Sequence, residues 1–426
     1  MREGYGVAPV DVFDLFDSRD PGAWLALDQA ARSETYHRPP EIAGRSLSAA
    51  LRDGVPIDDD RLALALCHHD GRIRQRALER AAGRPALLAL VVVRCADWAE
   101  PVRDRARERL AEALDAESAV PLAPLILRLA GRREGDHALG LLGRVLRGAS
   151  RERLAPLLTC ADRAVRRYAH ERAIEWGALS PAELARAAAR DEDAVVQGRC
   201  ADAALAGLPG RDAEGADEVL EALLGARNPR ARAAGVTALR RLELPERAVG
   251  FLADRSAPVR ACARYVLRQH GRDPLPWYRA RCADPADPAL PPGAAVGLGE
   301  CGQRADAGLL WALLEHPVPG VRARAVSGLR ALGVTDVPRM RRLLDDPAPG
   351  VAGEATLALL PSAGALPAEW LLERLDAARP RWQRVSAWRL LAAHGHAVRL
   401  RAARALLEDP DERLRERAGQ VVARGC

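Results

Sequence analysis

One unit recurs along most of this chain: a turn rich in Asp and Pro, then Val-Arg, then a helix rich in Ala and Leu. Three copies of the turn are Asp254-Arg-Ser-Ala-Pro-Val259-Arg260, His316-Pro-Val-Pro-Gly-Val321-Arg322 and Asp346-Pro-Ala-Pro-Gly-Val351. Self-similarity at a fixed length indicates a solenoid, in which each unit buries its apolar face only against its neighbours. We therefore predict an all-α fold, a right-handed α-solenoid of helical hairpins.

The Val that precedes Arg marks each unit and sets the number of hairpins. Most intervals between these anchor residues are 28 to 32 residues, and the interval of 63 from Val102 to Val165 holds two units, with a degenerate copy near Arg133–Asp136. We expect about twelve hairpins. The anchors are Ile73, Val102, Val165, Val195, Ala231, Val259, Leu290, Val321, Val351, Trp382 and Leu414.

The pattern Asp-x-x-x-x-Val-Arg-x-x-Ala-x-x-x-Leu-x-x-x-Gly is matched position by position by Val321-Arg322, Ala325, Leu329 and Gly333. This pattern resembles the HEAT repeat, in the short form found in bilin-lyase-like proteins, and the resemblance covers roughly residues 60–426. It implies a superhelix of stacked hairpins. It implies no single function, because the same repeat occurs in scaffolds, lyases and DNA glycosylases.

Residues 1–60 depart from the repeat and carry 12 acidic and 6 basic side chains. The apolar residues Phe13, Phe16, Trp24 and Leu27 are concentrated there. Because the end of a solenoid needs a cap with a polar outer face, we predict a mostly helical N-terminal cap over 1–60, followed by the repeat array over 61–426. The alternative is a docking segment with a partner of its own.

The cations of this chain are all Arg, since the sequence contains no Lys, and the net charge is +6. A basic repeat array is compatible with nucleic-acid binding, but the absence of Lys fits a GC-rich coding bias equally well. No signal peptide and no membrane-spanning stretch is recognisable, and the eight Cys residues do not follow a zinc-binding spacing. We expect a cytoplasmic protein that does not enter the membrane.

Helical geometry sorts the second helix of each hairpin into a buried and an outward arc. Offsets 0, +4, +7 and +8 from the anchor are apolar, whereas offsets +2, +5, +6 and +9 fall on the opposite arc. We expect this outward arc to line a concave binding surface. The candidate binding residues are Arg107, Arg167, His170, Arg264, Tyr265, Arg268, Arg330 and Trp388.

The Arg that directly follows the anchor is predicted to be structural. Arg103, Arg166, Arg260 and Arg322 should lie close to the Asp of their own turn and to the Asp of the next unit, forming a ladder of ion pairs. If the pairs are exposed, each should contribute only about 0–1 kcal/mol.

The sequence contains no catalytic motif that we recognise, and we predict no catalytic residues, metal site or cofactor. The mixed charge of the outward arc favours a non-catalytic scaffold that binds a partner protein or peptide. The alternative is sequence-independent nucleic-acid binding, possible because Arg264, Tyr265 and Arg268 combine cations with an aromatic ring. Trp388 adds a resemblance to DNA-alkylation-repeat glycosylases, in which Trp residues flank a concave Asp.

Overall fold

The computed structural model describes residues 20–31, 47–208, 210 and 215–425, and these residues form helices joined by turns, with no β-strand among them. They belong to two compact units, Met1–Ala204 and Leu205–Cys426. Each unit is a series of hairpins, in which a first helix, a turn and a second helix follow one another. Within each unit the fold is the all-α solenoid that the repeat predicts.

Among the described residues of the first unit, two helices precede five hairpins. The helices are α1 (Pro21–Ala31), α2 (Leu47–Arg52), α3 (Asp59–Leu66), α4 (Gly71–Arg80), α5 (Leu88–Arg94), α6 (Glu100–Ala113), α7 (Ala116–Ala130), α8 (Asp136–Arg147), α9 (Arg151–Leu158), α10 (Arg163–Glu175), α11 (Pro181–Arg190) and α12 (Ala194–Ala206).

The described part of the second unit contains seven hairpins. Its helices are α13 (Ala216–Leu224), α14 (Pro229–Arg241), α15 (Pro245–Val249), α16 (Ala257–Gln269), α17 (Leu275–Arg281), α18 (Pro292–Cys301), α19 (Ala307–Ala312), α20 (Pro319–Ala331), α21 (Val337–Arg342), α22 (Pro349–Leu359), α23 (Ala368–Leu372), α24 (Arg381–Ala392), α25 (His396–Ala405) and α26 (Glu412–Gly425). Short 3-10 turns occupy Pro85–Leu87, Arg304–Asp306, Leu313–Glu315, Leu343–Asp345, Leu360–Ala365 and Glu373–Leu375.

The hairpins pack against their neighbours along the chain. Second helices lie side by side, as α14 does with α16 and α20 with α22. Val321 and Leu329 of α20 are fully buried in the core of the second unit. The five and seven hairpins confirm the predicted number of about twelve, and the degenerate copy near Arg133–Asp136 forms α7 and α8.

The turns end one helix and begin the next through side-chain caps and prolines. The Asp70 and Asp162 carboxylates accept hydrogen bonds from the backbone N–H groups of Arg72 and Ala164, which satisfies donors at the start of α4 and α10. Pro319 begins α20, where a fixed φ and a missing N–H cost nothing. These turns therefore fix where each second helix starts.

The anchor position is wrong in three hairpins. The buried residue at the third helical position is Val196, whereas the predicted anchor Val195 is 37% exposed. In α18 the third position is Ala294, four residues beyond the predicted Leu290. In α24 it is Gln383, one residue after Trp382. In each case an apolar residue near the turn was taken as the anchor, although it precedes the third helical position.

The described part of the N-terminal segment is helical and packed. Trp24 and Leu27 of α1 are buried, and α1 contacts α5 and α7. Phe13 and Phe16 lie outside the described residues. The division into a segment 1–60 and an array 61–426, and the choice between a cap and a docking segment, stay predictions.

Two glycines allow α18 and α20 to lie in close contact. A Cβ atom at Gly299 would overlap the backbone of Gly328, and a Cβ at Gly328 would lie 2.7 Å from the Ala295 carbonyl oxygen. We expect Gly299→Ala to lower the free energy of unfolding by about 1–3 kcal/mol or more, because two packed helices must separate. Urea unfolding measures this loss.

Gly308→Ala is the matched control for that substitution. Gly308 is also helical, but no atom lies within 4 Å of the position that its Cβ would occupy. We expect this variant to keep or slightly raise stability, since Ala favours helix by up to about 1 kcal/mol over Gly. Equal losses in the two variants would show that helix separation is not the cause.

Candidate interaction surfaces

Where an Arg follows the anchor and another hairpin comes next, the Arg pairs with a carboxylate of that hairpin, which forms the predicted ladder. Arg322 shows the pattern: its Nε and Nη2 donate to the Asp346 carboxylate of the next hairpin, both at 2.8 Å, and its Nη1 donates to the His316 carbonyl of its own turn at 2.9 Å. The same pairing joins Arg74 to Asp97, Arg166 to Asp191, Arg232 to Asp254, Arg260 to Glu300 and Arg384 to Asp409. Arg103 lies 3.7 Å from Glu134.

The ladder pairs are more buried than the sequence suggests. The side chains of Arg74 and Asp97 are both 0% exposed, and those of Arg384 and Asp409 are 6% and 1% exposed. The expectation of a weak, exposed pair is therefore wrong for these positions, because neighbouring second helices cover the flank that carries the Arg. Removing one partner from such a pair leaves an uncompensated charge, which typically costs about 3–5 kcal/mol.

In some hairpins the residue after the anchor is not Arg, and the next hairpin then has no carboxylate at the position that would pair with it. The carboxylate partner usually lies six residues before the Arg position of the following hairpin, as Asp97 does relative to Arg103. Where the Arg position holds Leu139, Gln197 or Ala352, the corresponding residue of the next hairpin is also uncharged. Those residues are Cys160, Ala226 and Ala378.

A fourth neutral position has a histidine as its counterpart in the next turn. Ala295 occupies the Arg position of α18, and His316 occupies the carboxylate position of the next turn. Its Nδ1 accepts from the Val318 N–H at 3.0 Å, so its Nε2, 2.9 Å from the Asp287 carbonyl, is the donor. At Arg103 and Arg260 the carboxylate comes from a different position of the next hairpin, Glu134 and Glu300. Each ladder Arg named above therefore has a carboxylate of the next hairpin, and the ladder is structural.

Three of the predicted binding residues are buried. His170, Arg264 and Trp388 are 4%, 8% and 6% exposed, which corrects the expectation that they line an open surface. All three lie at offset +5 from the observed anchor, on the flank that packs against a neighbouring second helix. Arg264 donates to Glu300 at 2.7 Å and lies 3.4 Å from the Tyr278 hydroxyl, whose pKa burial raises to about 12.

Three others are held in ion pairs. Arg107 donates to Glu134 at 2.9 Å and to the Cys95 carbonyl at 3.3 Å. Arg167 pairs with Asp193 at 2.7 Å, and its hydrogen bonds hold the pKa of that carboxyl well below its usual range. Arg330 is exposed and lies 3.6 Å from Glu354. These cations are at least partly neutralised within the chain.

Tyr265 and Arg268 are the two predicted residues that remain open. Both are on α16 and three positions apart, so they share a helix face. Tyr265 is 43% exposed, and the Arg240 guanidinium of α14 lies 5.9 Å from its ring centroid. Among the described residues, neither Arg240 nor Arg268 has a carboxylate within ion-pair distance. Arg240, Tyr265 and Arg268 are called the Tyr265 cluster below.

Two concave regions occur in the first unit. A mainly apolar groove of about 880 Å³ is lined by α1, α5, α7 and the end of α6, with Trp24, Leu88 and Leu122 in its wall. A second hollow of about 730 Å³ is lined by α9, α10 and α11 and includes Arg190.

Among the residues that the structure describes, no group of three or more His, Cys, Asp or Glu side chains is placed to hold a metal ion. None of their helices combines the length and the apolar character that crossing a membrane requires.

The hairpins and their nearest-neighbour packing make each unit a HEAT-like α-solenoid. No protein-family model and no curated protein sequence matches the chain. Among solved structures, it is similar to one from a study of tubulin recruitment by microtubule polymerases with TOG-domain arrays, at 12% identity and a TM-score of 0.25, with 95% of this chain and 97% of the other covered.

A second solved structure comes from a study of Kap95p binding to RanGDP, at 14% identity and a TM-score of 0.28. The match covers 97% of this chain and 58% of that one. Both likenesses are too distant to carry an argument about function. The class of fold rests on the hairpins themselves.

Proposed function

We propose that this chain is a non-catalytic, HEAT-like scaffold of the cytoplasm, which binds a partner protein or peptide on the concave face formed by its second helices. The observation that carries the proposal is the Tyr265 cluster. It combines an exposed aromatic ring with two Arg side chains, on adjacent second helices, that have no carboxylate partner in the part of the chain that the structure describes. Tyr and Arg are enriched among the residues that dominate binding energy at protein interfaces.

Sequence-independent nucleic-acid binding has less support on this face. Such binding requires cations in unit after unit that are free to neutralise phosphates. Arg107, Arg167 and Arg264 are instead paired with carboxylates of the chain itself. The glycosylase alternative is weakened in the same way, because Trp388 is buried and presents no open ring for a base.

A photo-crosslinking amino acid at position 265 of the full chain tests the proposal in nuclease-treated cell extract. We expect it to capture a defined protein, identified by mass spectrometry. Arg268→Ala should weaken binding of that protein by roughly 30-fold, the effect of losing about 2 kcal/mol at a hot spot.

The matched controls are the same crosslinker at the 73% exposed Trp98 and the substitution Arg230→Ala on α14. The crosslinker at position 98 should not capture the protein found at position 265. Arg230→Ala should leave binding of that protein unchanged. Capture of nucleic acid alone in untreated extract, or an equal loss in the Arg230 variant, would contradict protein binding at this cluster.

A further inference from the structure

The first helices of the second unit carry Arg residues that are separate from the Tyr265 cluster on the second helices. α17, α21 and α25 together contain eight Arg residues and no Asp or Glu. These residues are Arg279, Arg281, Arg339, Arg341, Arg342, Arg399, Arg401 and Arg404. They belong to alternate hairpins, so the helices between them decide whether the cations form one surface.

The intervening helices α19 and α23 connect the cations through tryptophan. The Arg339 guanidinium carbon lies 5.1 Å from the ring centroid of Trp311 on α19. Arg341 and Arg374 lie over the ring of Trp370 on α23, each at 3.9 Å from its centroid.

An ion pair continues the surface to α25. Arg401 is bidentate to Glu369 of α23, with N–O distances of 2.5 and 2.6 Å. Contacts therefore run without a gap from α19 through α21 and α23 to α25. We call this surface the Arg–Trp face.

Part of the charge on this face is not neutralised by the chain. Arg339 is 3.6 Å from Asp336, and Arg374 is held by Asp345. Arg341, Arg342 and Arg404 have no carboxylate within ion-pair distance among the described residues. Arg342 and Arg404 are exposed, and Arg341 is half-buried against Trp370.

The stacked guanidinium groups suit one kind of ligand. A guanidinium over an indole uses its face, so the N–H donors at its edge remain available for a carboxylate. Because the ring holds the guanidinium in place, less side-chain entropy is lost on binding. Trp370 already has two guanidinium groups over its ring, so a nucleic-acid base that stacks there must compete with them for the indole.

We propose that the Arg–Trp face is a second interaction surface of this chain and that it binds an acidic peptide segment, rich in Asp and Glu, of a partner protein. Carboxylates of that segment bind the free edges of Arg341, Arg342 and Arg404. The surface lies on first helices and is independent of the Tyr265 cluster on second helices.

The test uses the full chain and a fluorescein-labelled peptide of twenty glutamates, followed by fluorescence anisotropy at physiological salt. The double variant Arg341→Gln/Arg342→Gln should bind at least tenfold more weakly. The matched control is Arg163→Gln/Arg230→Gln, which removes the same charge from exposed positions of the second helices α10 and α14 that have no ion pair among the described residues. It should bind as the unchanged chain does.

A spectroscopic signal locates the binding at the stacked ring. In the chain labelled with 5-fluorotryptophan, the ¹⁹F resonance assigned by Trp370→Phe should shift when the peptide is added. No binding at physiological salt, equal weakening in both double variants, or an unmoved Trp370 signal would overturn the proposal. Tighter binding of a twenty-nucleotide single-stranded DNA that displaces the peptide would also overturn it, and would identify nucleic acid as the ligand.

Discussion

Replacing Arg384 with Met is expected to lower the stability of the second unit by about 3–5 kcal/mol. Met keeps most of the length of the Arg stem, so the packing that the stem supplies is largely retained. The two hydrogen bonds to Asp409, at 2.8 and 3.1 Å, are lost, and a carboxylate that is 1% exposed keeps no guanidinium partner. Urea unfolding measures the loss, and hydrogen exchange in α24 and α26 locates it.

Two comparisons separate the ion pair from other effects of the substitution. Arg401→Met removes an Arg that is bidentate to Glu369, but those side chains are 60% and 68% exposed, and we expect no measurable change. The double variant Arg384→Met/Asp409→Leu should regain much of the stability that Arg384→Met loses, because no buried charge is left unpaired. Failure of the second substitution to restore stability would show that the loss comes from the turn carbonyls that Arg384 also binds.

The ladder pairs also constrain the order of the hairpins along the chain. A hairpin that carries Arg at this position is followed by one that supplies a carboxylate, as Arg322 is by Asp346, whereas Gln197 is followed by Ala226. Exchanging two hairpins would place a buried Arg against a neutral residue. Such a mismatch is costly where the flank is buried. Nearest-neighbour matching of charge therefore makes the order of otherwise similar repeats specific.

Much of this fold was predictable because the repeat is a local signal. The Asp–Pro turns and the apolar period of the second helices gave the number of hairpins and the Asp partners of Arg166 and Arg322. They did not give the Glu partners of Arg103 and Arg260. The anchor was misplaced at Val195, Leu290 and Trp382, where an apolar residue near the turn was taken as the core position. The error at Trp382 could have been avoided. The ladder Arg directly follows the anchor, so Arg384 identifies Gln383 as the anchor.

The candidate surface was harder to predict, since it depends on how hairpins pack. When one second helix is considered alone, the residue five positions after the anchor falls on the outward arc. In the structure the adjacent second helix covers that flank, so Arg264 and His170 are buried. The ion pairs of Arg107 and Arg167 likewise join residues 26 or 27 positions apart. The Arg–Trp face was missed because α21 and α23 are short and only their contact brings Arg341 to Trp370. The visible signal was three Arg residues in the six-residue α21.

The carboxylates of the ladder should make this chain unstable in acid. Burial alone would raise the pKa of Asp97, Asp254, Glu300 and Asp346, but the hydrogen bonds and positive charges of their Arg partners, joined by backbone N–H donors at the three Asp residues, together outweigh it and hold each pKa below its usual value. Each group therefore stays ionised in the folded chain at a pH where the unfolded chain has bound a proton. Their contribution is fully present above the unfolded values of about 4 and is lost as the pH falls through the folded values.

Asp346→Asn tests this origin of the acid sensitivity. At pH 7 the variant should unfold at a lower urea concentration than the unchanged chain, because Arg322 loses a charged partner. The difference should shrink as the pH falls from 4 to 2, since the Asp346 carboxyl of the unchanged chain then becomes neutral as well. Glu416→Gln, at an exposed position of α26 without an ion pair in the described chain, should leave the curve unchanged. A difference between Asp346→Asn and the unchanged chain that stays constant from pH 7 to 2 would mean that Asp346 acts through its hydrogen bonds alone and not through its charge.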